Sequence, residues 1–106
     1  MPRYDGRCRS LSEGEITKME ASGLHPALRF HVGAGPILFE DLIHGKMNFD
    51  SAGIGDFIIV RSDGMAAYNL ACVIDDHLMH ITHVIRGEDH LSNTPRQILL
   101  YQALSW

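Results

Sequence analysis

Residues 75–97 read Asp75-Asp76-His77-Leu78-Met79-His80-Ile81-Thr82-His83-Val84-Ile85-Arg86-Gly87-Glu88-Asp89-His90-Leu91-Ser92-Asn93-Thr94-Pro95-Arg96-Gln97. The periodicity changes along this stretch. The apolar residues that lead into it, from Ala66 to about Met79, recur at helical spacing, with Leu70, Val73, Ile74 and Leu78 on one broad face. Ile81–Ile85 is rich in β-branched residues and predicts a strand. Ser92-Asn93-Thr94-Pro95 predicts a helix start, with Thr94 as N-cap and Pro95 at the first helical position. Ile98, Leu99, Tyr101 and Ala103 are then expected to pack inward, with Leu104 flanking them. Helix, strand and helix in this order place Arg86–His90 where a strand ends and a helix begins. That is where open α/β sheets hold ligands.

Upstream the pattern is different. Residues 1–10 form a polar lead with Arg3, Arg7 and Arg9. Ser12-Glu13-Gly14-Glu15 predicts a capping box and a helix to about Ser22, stopped by Gly23. Ala27–Val32 alternates, Gly33–Pro36 is a turn, and Ile37–Ile43 reads as a second strand. Lys46–Phe49 is a third candidate, Gly53-Ile54-Gly55 a break, and Asp56–Arg61 the clearest strand. Short strands between glycine turns predict an antiparallel sheet. Ser62-Asp63-Gly64 marks the change of regime, so the chain divides into a sheet-rich unit, 1–61, and an α–β–α unit, 62–106.

The 106 residues are enough for one domain or parts of two, and allow roughly 65% of the unfolded surface to be buried. Apolar content of 45% and charged content of 21% argue against disorder. No apolar run approaches the roughly 20 residues of a membrane span. No apolar segment follows Met1-Pro2-Arg3-Tyr4 as a secretory signal would require. Cys8 and Cys72 lie far apart, so a reducing cytoplasm is the expected compartment. A net charge of −4 speaks against a general nucleic-acid binder and against DNA, while leaving local RNA contact open to Arg3, Arg7, Arg9 or Arg96.

Several side chains could carry chemistry, and each has a plainer reading. Arg86 could grip a carboxylate or phosphate bidentately, with Glu88 and Asp89 accepting from an amine or ribose hydroxyls. A charged surface turn with an internal Arg–Glu pair fits the same residues. Tyr68 and Cys72 lie four apart on one helical face and could line a small polar pocket, or belong to a core helix. His77, His80 and His83 lack the spacing and partners of a known metal set, so no metal is expected there. The same holds for Tyr4 and Cys8, two ligands at most, where a tetrahedral zinc site wants three or four.

Taken together, Arg61-Ser62-Asp63-Gly64 and the segment from Asp75 to Trp106 closely resemble the bacterial glutamyl-tRNA synthetases, class I aminoacyl-tRNA synthetases. The resemblance runs from about Pro2 to Trp106 and implies an internal fragment of such an enzyme, the glutamate–tRNA ligases. It implies an α/β architecture: a small antiparallel-sheet insertion unit (1–61) that contacts the tRNA(Glu) acceptor arm, then the start of the second half of a Rossmann-like nucleotide fold (62–106). In such an enzyme Tyr68, Cys72 and Arg86 would face glutamate, and Glu88, Asp89 and His90 would lie near ATP or the terminal adenosine. At Cys72 some relatives carry asparagine. ATP, with Mg2+, would be a substrate of the parent enzyme. Zinc is held in some relatives by a Cys-x-Cys pair together with the positions of Tyr4 and Cys8, and that pair is missing from this sequence. The phosphate-handling motifs His-Ile-Gly-His and Lys-Met-Ser-Lys-Ser are absent too, which implies that the 106 residues alone are catalytically incompetent. Met65-Ala66-Ala67 departs from relatives that place Pro-Thr after the Leu or Met, losing an N-cap worth about 1 kcal/mol. Two alternatives share part of the resemblance: the shorter paralogue that glutamylates a modified base of tRNA(Asp), and a non-catalytic module that binds the tRNA acceptor arm. The runs Asp76–Met79 and Gly87–His90 favour the full synthetase over the paralogue.

Overall fold

The computed structural model describes residues 3–106. Met1 and Pro2, where the lead segment and the first unit begin, lie outside the described residues. A 3-10 turn at Arg7–Ser10 leads to helix α1 (Glu13–Ala21). Its capping box forms as the sequence predicts: Glu15 N–H donates to Ser12 Oγ, and Ser12 N–H donates to the Glu15 carboxylate. Gly23, at φ 90°, ends it in the left-handed region that glycine occupies freely.

The strands do not form one sheet. β1 (Leu28–Phe30) pairs antiparallel with β4 (Phe57–Val60), and β2 (Pro36–Asp41) pairs antiparallel with β3 (Gly45–Asp50). The reason lies at residues 51–55. Gly53-Ile54-Gly55, expected as a plain break, closes a short helix, α2 (Ser51–Ile54), capped by the Asp50 side chain on Ala52 N–H. Ser51 Oγ also accepts from Gly35 N–H at 3.0 Å, tying the two ends of the hairpin together. The β2–β3 hairpin is thereby closed on itself and set between β1 and β4 in the chain. Leu42 and Ile43, expected in the second strand, lie at its tip and are exposed.

After β4, Gly64 N–H donates to Arg61 O, and the chain returns so that Ala66 bridges Val60. Ala66 is thus held by sheet pairing, and α3 (Tyr68–Leu78) starts two residues later than the apolar pattern suggests. The expected strand at Ile81–Ile85 joins no ladder among the described residues. A β-branched run gains its stability from cross-strand neighbours, and here it has none: Ile85 is 97% exposed. A 3-10 turn at Glu88–Asn93 then runs into α4 (Thr94–Leu104). Asn93, not Thr94, is the N-cap: Thr94 is already the first helical residue and Pro95 the second, and the Thr94 hydroxyl accepts from Arg86. The inward face of α4 also differs from expectation. Leu100, Gln97 and Pro95 are buried, Ile98, Leu99 and Tyr101 are half-buried, and Ala103 is exposed.

Val73 on α3 and Leu100 on α4 form the tightest part of the core, with Ile37 buried on β2. The rest is open. A radius of gyration of 15.9 Å exceeds the roughly 13 Å of a compact chain this long. The accessible surface of 8037 Å² is about a third more than the roughly 5900 Å² expected at 11.8 kDa. No helix among the described residues is long and apolar enough to cross a membrane.

Candidate active site at the α3–α4 junction

Tyr68 opens α3, and Cys72 follows one turn later on the same face. The Cys72 thiol beside the Tyr68 hydroxyl, and burial second, push the phenol above its ordinary range; the Arg86 guanidinium pulls the other way. Cys72 and Arg86, also singled out in the sequence, thus both influence the Tyr68 hydroxyl. His90 joins them, its Nδ1 3.5 Å from the Tyr68 hydroxyl and 3.3 Å from Asn93 Nδ2. Tyr68 nevertheless stays 53% exposed, so the group faces outward and is open to a ligand.

Arg86 leaves the extended segment and is fixed from α4. Its Nη1 donates to Gln97 Oε1 at 3.0 Å and its Nη2 to Thr94 Oγ1 at 2.6 Å. Gln97 Nε2 in turn donates to Asn69 Oδ1 at 3.1 Å. The internal Arg–Glu pair of the plainer reading is not among the ion pairs formed. Glu88 instead approaches His44 at the β2–β3 hairpin (3.7 Å), and Asp89 approaches His90 (3.7 Å). Both carboxylates are exposed. Gly87 has an ordinary extended backbone, and a Cβ there would meet only the end of the exposed Asp89 side chain, which would have to swing aside. The result is a cation held by neutral groups, followed in the chain by two exposed carboxylates that each lie near a histidine. An anionic group with a neighbouring amine or hydroxyl suits that arrangement.

The remaining histidines go elsewhere. His77 stacks on Trp106 with ring centroids 3.9 Å apart, His80 closes the α3 end at φ 55°, and the Nδ1 of His83 lies 3.0 Å from Thr82 Oγ1. Tyr4 and Cys8 are neighbours through one hydrogen bond, Cys8 N–H to the Tyr4 hydroxyl (2.9 Å), and Arg29 lies over the Tyr4 ring. Two ligands are fewer than the three or four that a tetrahedral zinc site requires. Among the described residues no three His, Cys, Asp or Glu side chains are grouped to hold a metal ion.

Sequence reasoning passed over Asn69, Asn93, Gln97 and His44. Gln97 carried a signal in hindsight: it sits three residues after Thr94, on the same face of a helix that starts beside Arg86.

Comparison with known proteins supplies the class. The family described as tRNA synthetases class I (E and Q), catalytic domain, matches residues 1–106. The chain belongs to that family, and its mixed helices and small antiparallel ladders are an α/β portion of a class I synthetase. It is 52% identical over 107 residues to the glutamate–tRNA ligase of Bacillus subtilis, covering 100% of this chain and 22% of that protein. It is 60% identical over 104 residues to the glutamate–tRNA ligase of Desulfitobacterium hafniense, covering 97% and 21%. A crystal structure of a glutamate–tRNA ligase from Elizabethkingia meningosepticum, in complex with its amino acid, superposes with a TM-score of 0.90 at 37% identity over 98% of this chain and 22% of that one. The chain thus spans about a fifth of the length of these relatives.

Proposed function

We propose that this chain supplies the glutamate-facing part of a glutamate–tRNA ligase, an enzyme that activates glutamate with ATP and transfers it to tRNA(Glu). The observation that carries the reading is the Arg86 guanidinium, held by the neutral Gln97 and Thr94 side chains at the α3–α4 junction, in a chain 52–60% identical to named glutamate–tRNA ligases. Arg86 pairs with the side-chain carboxylate of glutamate, and Tyr68 and Cys72 border the same pocket. Asp89 and His90 face the ATP or the terminal adenosine, with Glu88 behind them. ATP arrives with Mg2+, which neutralises phosphate charge. Residues 1–61 form the insertion that meets the tRNA acceptor arm, and residues 62–106 begin the second half of the nucleotide fold. The sequence contains neither His-Ile-Gly-His nor Lys-Met-Ser-Lys-Ser. Groups that stabilise the phosphates in the transition state must therefore come from outside these residues.

The test is a transplant. The matching segment of the Bacillus subtilis ligase is replaced by this chain, and glutamate-dependent ATP–pyrophosphate exchange is measured. Exchange by the chimera and none by the 106 residues alone is the expected pair of results. A folded but inactive chimera would contradict the assignment, and exchange by the isolated chain would contradict its incompleteness.

A further inference from the structure

We infer that Gln97 and Thr94 are positioning residues that fix the Arg86 guanidinium for a carboxylate ligand, and that Asn69 orients Gln97 for the task. This rests on the reading of Arg86 as the partner of glutamate. Each terminal nitrogen of Arg86 makes one bond to α4, to Gln97 Oε1 at 3.0 Å and to Thr94 Oγ1 at 2.6 Å. Asn69 turns its oxygen to the Gln97 amide nitrogen at 3.1 Å, which leaves the Gln97 oxygen directed at Arg86. Gln97 is only 8% exposed, so water competes poorly for these bonds. The chain of bonds spans both helices, since Asn69 lies on α3 and Gln97 and Thr94 lie on α4.

Two features of this brace suit a carboxylate. It uses two of the five N–H donors of a guanidinium, so three remain to be shared between the Tyr68 hydroxyl and a ligand. Its acceptors are an amide and a hydroxyl, both neutral, so the positive charge is not spent on a partner within the protein. A planar fork already held in place loses less freedom on binding than one that must be ordered. The brace therefore acts on glutamate affinity and leaves ATP affinity alone.

The test uses the chimera described above, with KM for glutamate and for ATP measured separately. Gln97→Met keeps the shape and removes the acceptor; Thr94→Val does the same for the hydroxyl. Each is expected to raise the glutamate KM about tenfold, the scale of one lost bond to a charged group, with the ATP KM unchanged. Thr94→Ser restores the hydroxyl and is expected to restore the KM. Asn69→Ala combined with Gln97→Met is expected to be no worse than Gln97→Met alone, because the two act in series. Unchanged glutamate KM in Gln97→Met and Thr94→Val, or equal rises for glutamate and ATP, would overturn the inference. Arg86→Gln with an unchanged glutamate KM would instead overturn the reading of the site beneath it. If a variant chimera fails to fold, nitrogen NMR of the 106-residue chain reads the brace directly. Separate Arg86 Nη signals, from hindered rotation, are expected in the parent chain and lost in Gln97→Met; their persistence would overturn the inference.

Discussion

At Tyr68 several polar groups compete for one hydroxyl. The Cys72 thiol is the largest influence and, with burial, raises the phenol's titration, while Arg86 lowers it. The phenol is therefore neutral near pH 7, able to donate to a bound ligand. Cys72→Ala is expected to bring the Tyr68 titration down toward the ordinary range of about 10, seen in phenolate absorbance as a difference from the parent chain. No change would mean that the thiol does not reach the hydroxyl in solution. Gly87→Ala acts by crowding: the new Cβ drives the Asp89 carboxylate away from its present place. Under the proposed reading this change weakens ATP or adenosine binding more than glutamate binding, which separate KM values would register.

Among the elements, helix α3 shows most plainly what local sequence dictates. Its N-cap is Ala67, which offers no side-chain acceptor to the first N–H groups. Ala67→Ser or Ala67→Thr is expected to stabilise the chain by about 1 kcal/mol, read as a rise in melting temperature. An unchanged melting temperature would show that water or another group already serves those donors. The contrast with α1 is instructive, since Ser12 and Glu15 announce its capping box in sequence and form it in the structure. Local signals of this sort were legible: the capping box, Gly23 and the Ser62-Asp63-Gly64 turn stand where the residues predict, and the Thr94-Pro95 helix start falls one residue early. Non-local ones were not. Whether Ile81–Ile85 pairs depends on neighbours that its own residues do not encode, and the strands sort into two ladders because Ser51 binds Gly35 across the hairpin. The site divides in the same way. Tyr68, Cys72 and Arg86 could be singled out as residue types, whereas the Asn69–Gln97 contact requires the packing of two helices.

For the whole molecule, the lead segment is tied to the sheet by the Asp56 carboxylate, which Arg9 meets, and by Arg29 over the Tyr4 ring. Burial raises the pKa of Asp56, but the Val32 N–H, His31 and Arg9 together outweigh it and hold it below the ordinary range. A depressed carboxylate binds fewer protons folded than unfolded between its two pKa values, so its contribution is complete above the unfolded value, about 3.9, and fades as pH falls through the folded one. Asp56→Asn is accordingly expected to melt below the parent chain near pH 7, with the gap closing at acid pH below about 4. A constant gap would assign the effect to packing. The surplus accessible surface belongs to this scale too. Ile85→Lys is expected to change the stability of the isolated chain by no more than about 0.5 kcal/mol, as at an exposed site, yet to impair the chimera, where the extended segment would be covered. Equal effects in both settings would count against that covering. Arg86 is the residue proposed to meet glutamate. The most direct measurement is the glutamate KM of the chimera carrying Arg86→Gln: a rise of tenfold or more with the ATP KM unchanged is expected, and an unchanged glutamate KM would contradict it.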